Sequence, residues 1–355
     1  MTETATKVEW VYAELKGRIA RWHRGNKMPS IRNLMREFNV SQITVDRAMD
    51  RLSEEGLIVK RPKKGIFVGP VSNQDLSVKK HTIAVAVPNY PSPIYDDYLL
   101  HLDREIRTVG ELAEVIRYDW RERILQDLPS KKVDGLVLIP TGSRFSPRDF
   151  AVLGRFDRPV VLISRVLRDV GIDCVEPDNE LGGELAAEHL LGLGHRRLAV
   201  LLSEPVGPAT DSRIAGFMRR AAQAGVTDVR VINAETRPGE NAAWKAYESM
   251  KTSVGKEAAF SGLFVLSDGS ALGALKALHE LKVPVPGQVS VMGFGDIPEA
   301  GLFHPALTTI HEDRATVARE AVKILEARMA GKKGEPIHRF IPPTVVCRES
   351  TGKPI

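Results

Sequence analysis

With 355 residues, the chain is longer than one ordinary domain, so we expect two or three folded units with a sizeable core. Its 43% content of apolar residues is typical of a soluble globular protein, and no apolar stretch reaches the roughly 18 residues of a membrane-spanning helix. The first thirty residues carry charges instead of the apolar core of a signal peptide, which predicts a cytoplasmic protein.

The net charge of +5 is unevenly distributed along the chain. Residues 1–80 contain 16 Lys and Arg against 9 Asp and Glu, whereas the remaining residues contain 34 against 36. A basic small domain joined to a nearly neutral larger one indicates a head that binds a polyanion and a body with another task.

The two cysteines, Cys174 and Cys347, lie far apart and have no nearby ligand spacing. This pattern supports neither a disulfide framework nor a zinc site, so we expect two buried, reduced thiols. No metal and no cofactor are expected.

The head, residues 1–70, has the pattern of three helices and a hairpin. Apolar residues recur at helical spacing in three sets: Val8, Val11, Tyr12, Leu15, Ile19 and Trp22; Ile31, Leu34, Met35 and Phe38; and Val45, Ala48, Met49 and Leu52. Ser30 can cap the second helix, and Ser41 begins the third. Two short strands, Leu57–Arg61 and Gly65–Val68, follow, and together these elements predict a winged helix.

Residues 71–80 are polar without any period and are predicted to be a linker. In residues 81–355, short apolar runs alternate with segments of helical period. The runs are Ile83–Val87, Gly135–Ile139, Val160–Ile163, Leu198–Leu202, Leu263–Leu266 and Val289–Met292. This alternation predicts an α/β fold with parallel sheets flanked by helices, long enough for two similar lobes, and ligands bind such sheets beyond the carboxyl ends of the strands.

The exposed side of the third helix is expected to face DNA. Gln42, Asp46 and Arg47 lie opposite the apolar face, and Ser41 and Thr44 lie at its start. Helix starts favour phosphate, and Gln pairs naturally with adenine. Asp46 either accepts from a cytosine amine or orients a neighbouring Arg, and Arg47 is equally well explained as a surface residue.

Further candidates for DNA contacts lie in the second helix and the hairpin. Arg32 suits guanine or phosphate, Lys63 and Lys64 suit phosphates or a narrow minor groove, and Gly65 allows close approach of the backbone.

Residues 5–69 resemble the GntR family of winged-helix regulators. The resemblance lies in Pro29–Leu34, Val40–Val45 and Gly65–Val68. It implies DNA contacts by Arg32 and by polar residues that open the third helix, with the hairpin turn in the minor groove.

From about residue 82 to 350 the chain resembles the effector domain of the LacI family, which is similar to periplasmic sugar-binding proteins. The matching segments are Val133–Leu138, Pro177–Gly182, Leu193–Arg197, Ser212–Phe217, Ser267–Gly273 and Pro305–Ile310. The resemblance implies a ligand cleft between two lobes, with these residues in or near it: Tyr95, Arg165, Asp178, Arg213, Asp268 and Asp296. A GntR-type head on a LacI-type body resembles the regulators of arabinose use.

Carboxylates, Arg forks and an aromatic surface suit a sugar ring, and Tyr95 or Trp244 could supply that surface. Other interpretations remain open for three of these residues. Asp178 could simply cap a helix, Arg213 could form a structural ion pair, and Trp244 could be a core residue.

Taken together, the sequence predicts a DNA-binding transcriptional regulator, a repressor, that responds to a small sugar or polyol. We expect a homodimer on a palindromic operator, which ligand binding releases from DNA. The alternative is a DNA-binding head fused to a sugar-modifying enzyme, but no nucleophile elbow, phosphate loop or metal cluster supports an enzyme.

Overall fold

The protein divides into two compact units, Met1–Lys80 and His81–Ile355, which we call the head and the body. A computed structural model describes residues 3–19, 22–23, 25–61, 64–69, 80–90, 92–119, 132–140, 153, 155–163, 171–254 and 259–354. The predicted linker, residues 71–80, lies outside the described residues except for Lys80.

The head consists of three helices and an antiparallel hairpin. Its elements are α1 (Glu3–Ile19), α2 (Ile31–Phe38), α3 (Gln42–Glu54), β1 (Ile58–Arg61) and β2 (Gly65–Val68). The predicted apolar faces form one core, in which Val11, Leu34 and Met49 are fully buried. Trp22 lies beyond the end of α1 and is only partly buried. The winged-helix prediction is confirmed by this arrangement.

The body alternates strands and helices. In chain order its elements are β3 (Thr82–Pro88), α4 (Pro93–Thr108), β4 (Leu112–Tyr118), β5 (Gly135–Leu138), β6 (Val160–Leu162), β7 (Asp173–Pro177), α5 (Asn179–Gly192), β8 (Leu198–Leu202), α6 (Pro208–Gln223), β9 (Val229–Asn233), α7 (Ala242–Ser253), β10 (Gly262–Val265), α8 (Asp268–Glu280), β11 (Ser290–Gly295), β12 (Thr308–His311), α9 (Arg314–Met329), β13 (His338–Ile341) and β14 (Thr344–Val346). This order confirms the predicted α/β fold.

These strands form two six-stranded sheets, one in each lobe of the body. In the first lobe the strand order is β13-β7-β6-β5-β3-β4, and every pair is parallel. In the second lobe the order is β14-β12-β11-β10-β8-β9, with only the β12–β14 pair antiparallel. Strands such as β5 and β8 are buried along their whole length, because helices cover both sheet faces.

The chain passes between the lobes three times. It leaves the first lobe after β7, returns after β12, and passes back to the second lobe between β13 and β14. Helix α9 therefore packs in the core of the first lobe, where Val317, Ala321 and Leu325 contact residues of α4 and its sheet. These crossings join the lobes by three short segments.

Two glycines let helices α5 and α6 approach each other closely. A Cβ atom on Gly183 would lie 2.0 Å from the carbonyl oxygen of Arg213, and one on Gly216 would lie 1.9 Å from the carbonyl oxygen of Glu180. Neither distance is sterically possible, so the contact requires glycine at both positions. This packing places the start of α5 against Arg213 of α6, a residue that lines the cleft between the lobes.

The two cysteines differ in exposure. Cys174 is buried as expected, but the expectation for Cys347 is wrong: its side chain is exposed, because it directly follows the short strand β14 at the edge of its sheet.

In the part of the chain that the structure describes, no helix is long and apolar enough to cross a membrane.

Candidate functional site

The starts of α2 and α3 form the candidate DNA-binding surface of the head. Ser30 caps α2 by accepting from the backbone N–H of Asn33 at 3.2 Å. Ser41 caps α3 in the same way through the N–H of Thr44 at 3.3 Å. Both helices thus begin within well-defined turns, which fixes the direction of the side chains that follow.

Three predicted contact residues are exposed on these helices, namely Arg32, Gln42 and Arg47. Asp46 is partly buried. It does not orient Arg51, because Arg51 donates to Glu9 at 2.6 Å. Thr44 differs from the prediction, since only 3% of it is exposed and its hydroxyl bonds to Ser41 Oγ at 2.9 Å. Its role is therefore to complete the cap.

The hairpin adds positive charge next to these helices within the head. Lys64 is exposed in the turn, and Gly65 has φ of 116°, a conformation that favours glycine. Lys63 lies outside the described residues. The sequence analysis missed Lys27, whose side chain lies so close to the turn that a Cβ on Gly65 would be 2.8 Å from its Cε. Lys27 forms an isolated antiparallel bridge with Phe67 of β2, and no periodic pattern in the sequence indicates this pairing.

In the body, a cleft of about 200 Å³ lies between the two lobes. Its walls follow the carboxyl ends of strands: Tyr90 after β3, Ile139 after β5, Glu204 after β8, Ser267 after β10 and Glu312 after β12. This placement is the one expected for parallel sheets. The volume is below the roughly 300–1,000 Å³ of drug-sized pockets, so the cleft suits a compact ligand.

Arg213 lies at the centre of the cleft and is only 8% exposed. It donates through Nε to Asn179 Oδ1 at 2.8 Å, through Nη1 to the carbonyl of Leu266 at 2.7 Å and through Nη2 to Glu312 Oε1 at 3.1 Å. Its guanidinium also lies 3.6 Å from the ring centroid of Phe294. Burial lowers the pKa of Arg213, while the Glu312 carboxylate opposes that effect.

Glu312 extends this ion pair toward the first lobe. It is 3% exposed, and its second oxygen accepts from Arg314 Nη1 at 3.2 Å. Arg314 begins α9 and also donates to Asp97 of α4 at 2.5 Å and to the carbonyl of Gly295 at 2.6 Å. A continuous set of charges therefore connects the cleft with a helix of the first lobe.

Aromatic and acidic groups complete the walls of the cleft. Tyr90 and Tyr95 meet edge to face, with ring centroids 5.5 Å apart and hydroxyls 2.9 Å apart. Burial raises the pKa of Tyr95 well above its usual value. In the second lobe, Glu204 accepts from the hydroxyls of Ser267 at 2.5 Å and Ser270 at 3.2 Å. Burial raises the pKa of Glu204, and the two serine hydroxyls oppose that rise.

The predicted ligand residues divide into two groups. Tyr95 and Arg213 line the cleft. Asp178 caps α5 by accepting from the N–H of Leu181 at 3.0 Å, as the alternative interpretation expected, and its neighbours Pro177 and Asn179 line the cleft instead. Arg165 lies outside the described residues.

Asp268 and Asp296 do not line the described cleft, and both bond within the second lobe. Asp268 is 1% exposed and accepts from the Thr309 hydroxyl at 2.6 Å and from the N–H of Ile297 at 2.9 Å. Burial raises the pKa of Asp268 to about 6. Asp296 accepts from Arg348 at 2.6 Å and lies 2.9 Å from Nδ1 of His311.

Trp244 does not line the cleft described here. It is 56% exposed on α7 and stacks on Tyr247, with ring centroids 5.1 Å apart. The core alternative for Trp244 does not fit this exposure either. Since the two aromatic residues are three positions apart on one helix, their stacking is explained by helical geometry alone.

His195 lies in the turn before β8 and has a structural role. It is fully buried, and its ring nitrogens lie 2.9 Å from Ser261 Oγ and 3.0 Å from Ser290 Oγ.

Glu204 and Glu312 were missed by the sequence analysis. Both follow a buried strand of the second lobe directly or within two residues. This position, at the carboxyl end of a parallel strand, is the signal that could have identified them. Within the described ranges, no group of three or more His, Cys, Asp or Glu side chains is arranged to hold a metal ion.

Comparisons with known families agree with this division into head and body. Residues 7–68 match the model of bacterial regulatory proteins of the gntR family. Residues 187–351 match the model of a periplasmic binding protein-like domain.

Relatives and solved structures extend the comparison to nearly the whole chain. The chain is 26% identical to an arabinose metabolism transcriptional repressor from Geobacillus stearothermophilus, covering 96% of this chain and 97% of the relative. It is 24% identical to the ribose operon repressor of Escherichia coli K12, covering 90% and 95%. A LacI family regulator from Enterococcus faecium, solved with bound ribose, shares the fold with a TM-score of 0.68 at 23% identity, over 77% of this chain and 99% of that structure.

Proposed function

This chain carries a GntR-family DNA-binding domain followed by a periplasmic-binding-protein-like domain, and we propose that it is a repressor whose affinity for operator DNA is controlled by a small sugar or polyol. The observation that carries the proposal is the presence, in one chain, of exposed polar helix starts in a basic head and a compact cleft between two lobes.

The head binds DNA through two kinds of contact. Gln42 and Arg32 read base edges, while Arg47, Lys63, Lys64 and Gly65 position the head on the phosphates or the minor groove. Ser30, Ser41 and Thr44 set the starts of the two helices. The exposure of Arg32 and Gln42 beside capped helix starts supports this division.

The body binds the effector in the cleft, where Tyr95 covers the ring and Arg213 reaches its hydroxyls. Arg213 uses each of its three nitrogens once within the protein, so N–H groups remain for a ligand. Four further residues belong to the cleft or to the structure that supports it: Arg165, Asp178, Asp268 and Asp296. The effector acts because it prefers one arrangement of the lobes, and that arrangement releases the operator.

The regulator acts as a homodimer in the cytoplasm, with one head on each half of a palindromic operator. One small head rarely provides operator-level affinity alone. Exposed apolar residues on the first lobe, Leu100 at 66% and Val115 at 49%, support a contact between two bodies. Sedimentation of the full chain should give twice the monomer mass.

The sugar is bound without being changed, and no cofactor takes part. The relatives that the chain matches have the names of transcriptional repressors, which supports a binding role over an enzymatic one.

The test is a titration of the full chain against double-stranded fragments from the region around its own gene. We expect one fragment to bind about 10³-fold or more tightly than the others, with an affinity that falls steeply with salt. D-Ribose, L-arabinose and related sugars are then added to find one that weakens this complex. Equal binding of all fragments would contradict the DNA-binding assignment, and chemical conversion of a sugar would favour the enzyme alternative.

A further inference from the structure

The charges of the cleft constrain the effector. Among the described residues that line it, the carboxylates are Glu176, Glu204 and Glu312, and the only cationic side chain is Arg213. Glu176 lies in β7 of the first lobe, Glu204 follows β8 of the second lobe, and Glu312 lies at the crossing after β12. Among these described lining residues, carboxylates therefore outnumber cationic side chains.

The positive charge of Arg213 is already balanced. Glu312 lies 3.1 Å from its Nη2, and both groups are at least nine-tenths buried. A buried pair of this kind presents little net charge to a ligand, although the remaining N–H groups can still donate to hydroxyls. An anionic ligand would not find an uncommitted cation in this pair.

Glu204 differs from Glu312 because its hydrogen-bond partners are neutral, while the charge of Arg213 acts on it without a hydrogen bond. Its Oε1 accepts from the hydroxyls of Ser267 and Ser270, which stabilise the carboxylate without cancelling its charge. The two hydroxyls also hold the carboxylate at a fixed position at the end of β8. Glu204 thus presents a negative charge to whatever fills the cleft.

Aromatic rings lie in the first-lobe wall of the same cleft. Tyr90, Tyr95 and Tyr98 line it together, and the Tyr90 and Tyr95 hydroxyls bond to each other at 2.9 Å. Aromatic faces attract cations as well as covering the apolar face of a sugar ring. A carboxylate combined with aromatic walls is the environment in which a protein binds an ammonium group.

We propose that the effector is a compact hydroxylated amine, such as an amino sugar, whose ammonium group pairs with Glu204 while its hydroxyls contact Arg213. The proposal rests on the proposed function, since it names the class of ligand for the same cleft. It also predicts that phosphorylated and carboxylated sugars bind less well, because an anionic group placed beside Glu204 would face a like charge.

The burial of Glu204 is consistent with this pairing. Burial raises its pKa, which means that the ionised carboxylate is destabilised in the empty cleft. An ammonium ion beside the carboxylate would remove part of that destabilisation, whereas a phosphate would increase it.

The test compares matched ligands on the full-length protein by calorimetry and thermal shift. Each set contains a neutral hexose, its 2-amino form and its 6-phosphate, built on D-glucose, D-galactose and D-mannose. We expect the best amino sugar to bind at least tenfold more tightly than its neutral parent, and the 6-phosphates to give no shift. In Glu204→Gln that ratio should fall to near one.

Glu240→Gln is the matched control, because Glu240 is an exposed carboxylate of the same lobe that pairs with Lys245. It should bind all ligands as the parent protein does. Tighter binding of a 6-phosphate, or an unchanged ratio in Glu204→Gln, would overturn the inference and leave a sugar-sensing function intact. Binding of neutral sugars and not of amino sugars would do the same. If no ligand in any set or in the pentose panel binds, the proposed function itself fails.

Discussion

The head and the body expose their functional side chains to very different degrees. In the head, Arg32, Gln42 and Arg47 are exposed and stand on helix starts whose geometry is set by serine caps. In the body, Arg213 and Glu312 are both less than 10% exposed and depend on each other. The binding residues of the head can therefore change without affecting its fold, whereas a change of the buried cleft residues of the body also affects folding.

The physical reason lies in the cost of removing charge from water. An exposed side chain keeps its hydration until DNA replaces it, so its loss affects binding alone. A buried ion pair contributes to folding and binding together, and removal of one partner leaves the other uncompensated. Variants in both units test this contrast.

The largest effect is expected for Glu312→Gln. The change leaves Arg213 and Arg314 without their shared carboxylate, and breaking a buried pair costs roughly 3–5 kcal/mol of folding free energy. Urea denaturation of the full chain measures it. Glu9→Gln is the matched change in the head, where the exposed pair with Arg51 is removed, and its unfolding curve should stay nearly unchanged. Equal costs for the two variants would remove the contrast.

A smaller, pH-dependent effect is expected for Asp268→Asn. Burial raises the pKa of Asp268 to about 6 from 3.8, so the ionised form destabilises the folded protein above pH 6. As the pH falls from 6 toward 3.8, the folded state takes up the proton first, and the parent gains about 1.4 kcal/mol per pH unit relative to the variant.

Unfolding free energies of the parent and Asp268→Asn between about pH 8 and 4.5 measure this gain. The difference between the two proteins should be constant above pH 7 and should change in favour of the parent below pH 6. Two parallel pH curves would show that Asp268 titrates normally.

The smallest effects on stability are expected in the head, where binding changes instead. Gln42→Ala should cost about 1–3 kcal/mol of affinity for the operator and should relax the base preference at one position. Lys64→Ala should weaken binding to all fragments and reduce the salt slope by about one phosphate contact. Neither should shift the melting temperature. A large fall in melting temperature for Gln42→Ala would show that this side chain supports the fold.

The head could be predicted from the sequence almost completely. Its helices are amphipathic, so the period of Val45, Ala48, Met49 and Leu52 alone determines which side of α3 is exposed. Thr44 shows the remaining error, since a position next to that face is buried by a hydroxyl bond that has no signal in the period.

The body was predictable as a fold and less so as a site. Apolar runs predicted strands such as β5 and β8. The strand β13 and the helix α9 were not predicted, because their positions depend on partners far away in sequence. The same long-range dependence explains the missed carboxylates, because nothing local shows that the residues after β8 and β12 meet. Trp244 was selected as a candidate by residue type alone, and residue type gives no information on which face of a helix a side chain lies.

The triple crossing also has a consequence for synthesis on the ribosome. The head is complete by residue 69, so it can fold while the body is still being made. The first lobe, however, begins at Thr82 and lacks α9 and its edge strand until residue 341 has emerged. The second lobe in turn lacks its edge strand β14 until residue 346 has emerged, so neither lobe is complete before synthesis is nearly finished, and a nascent chain stopped before β13 carries a DNA-binding domain with no complete sensor.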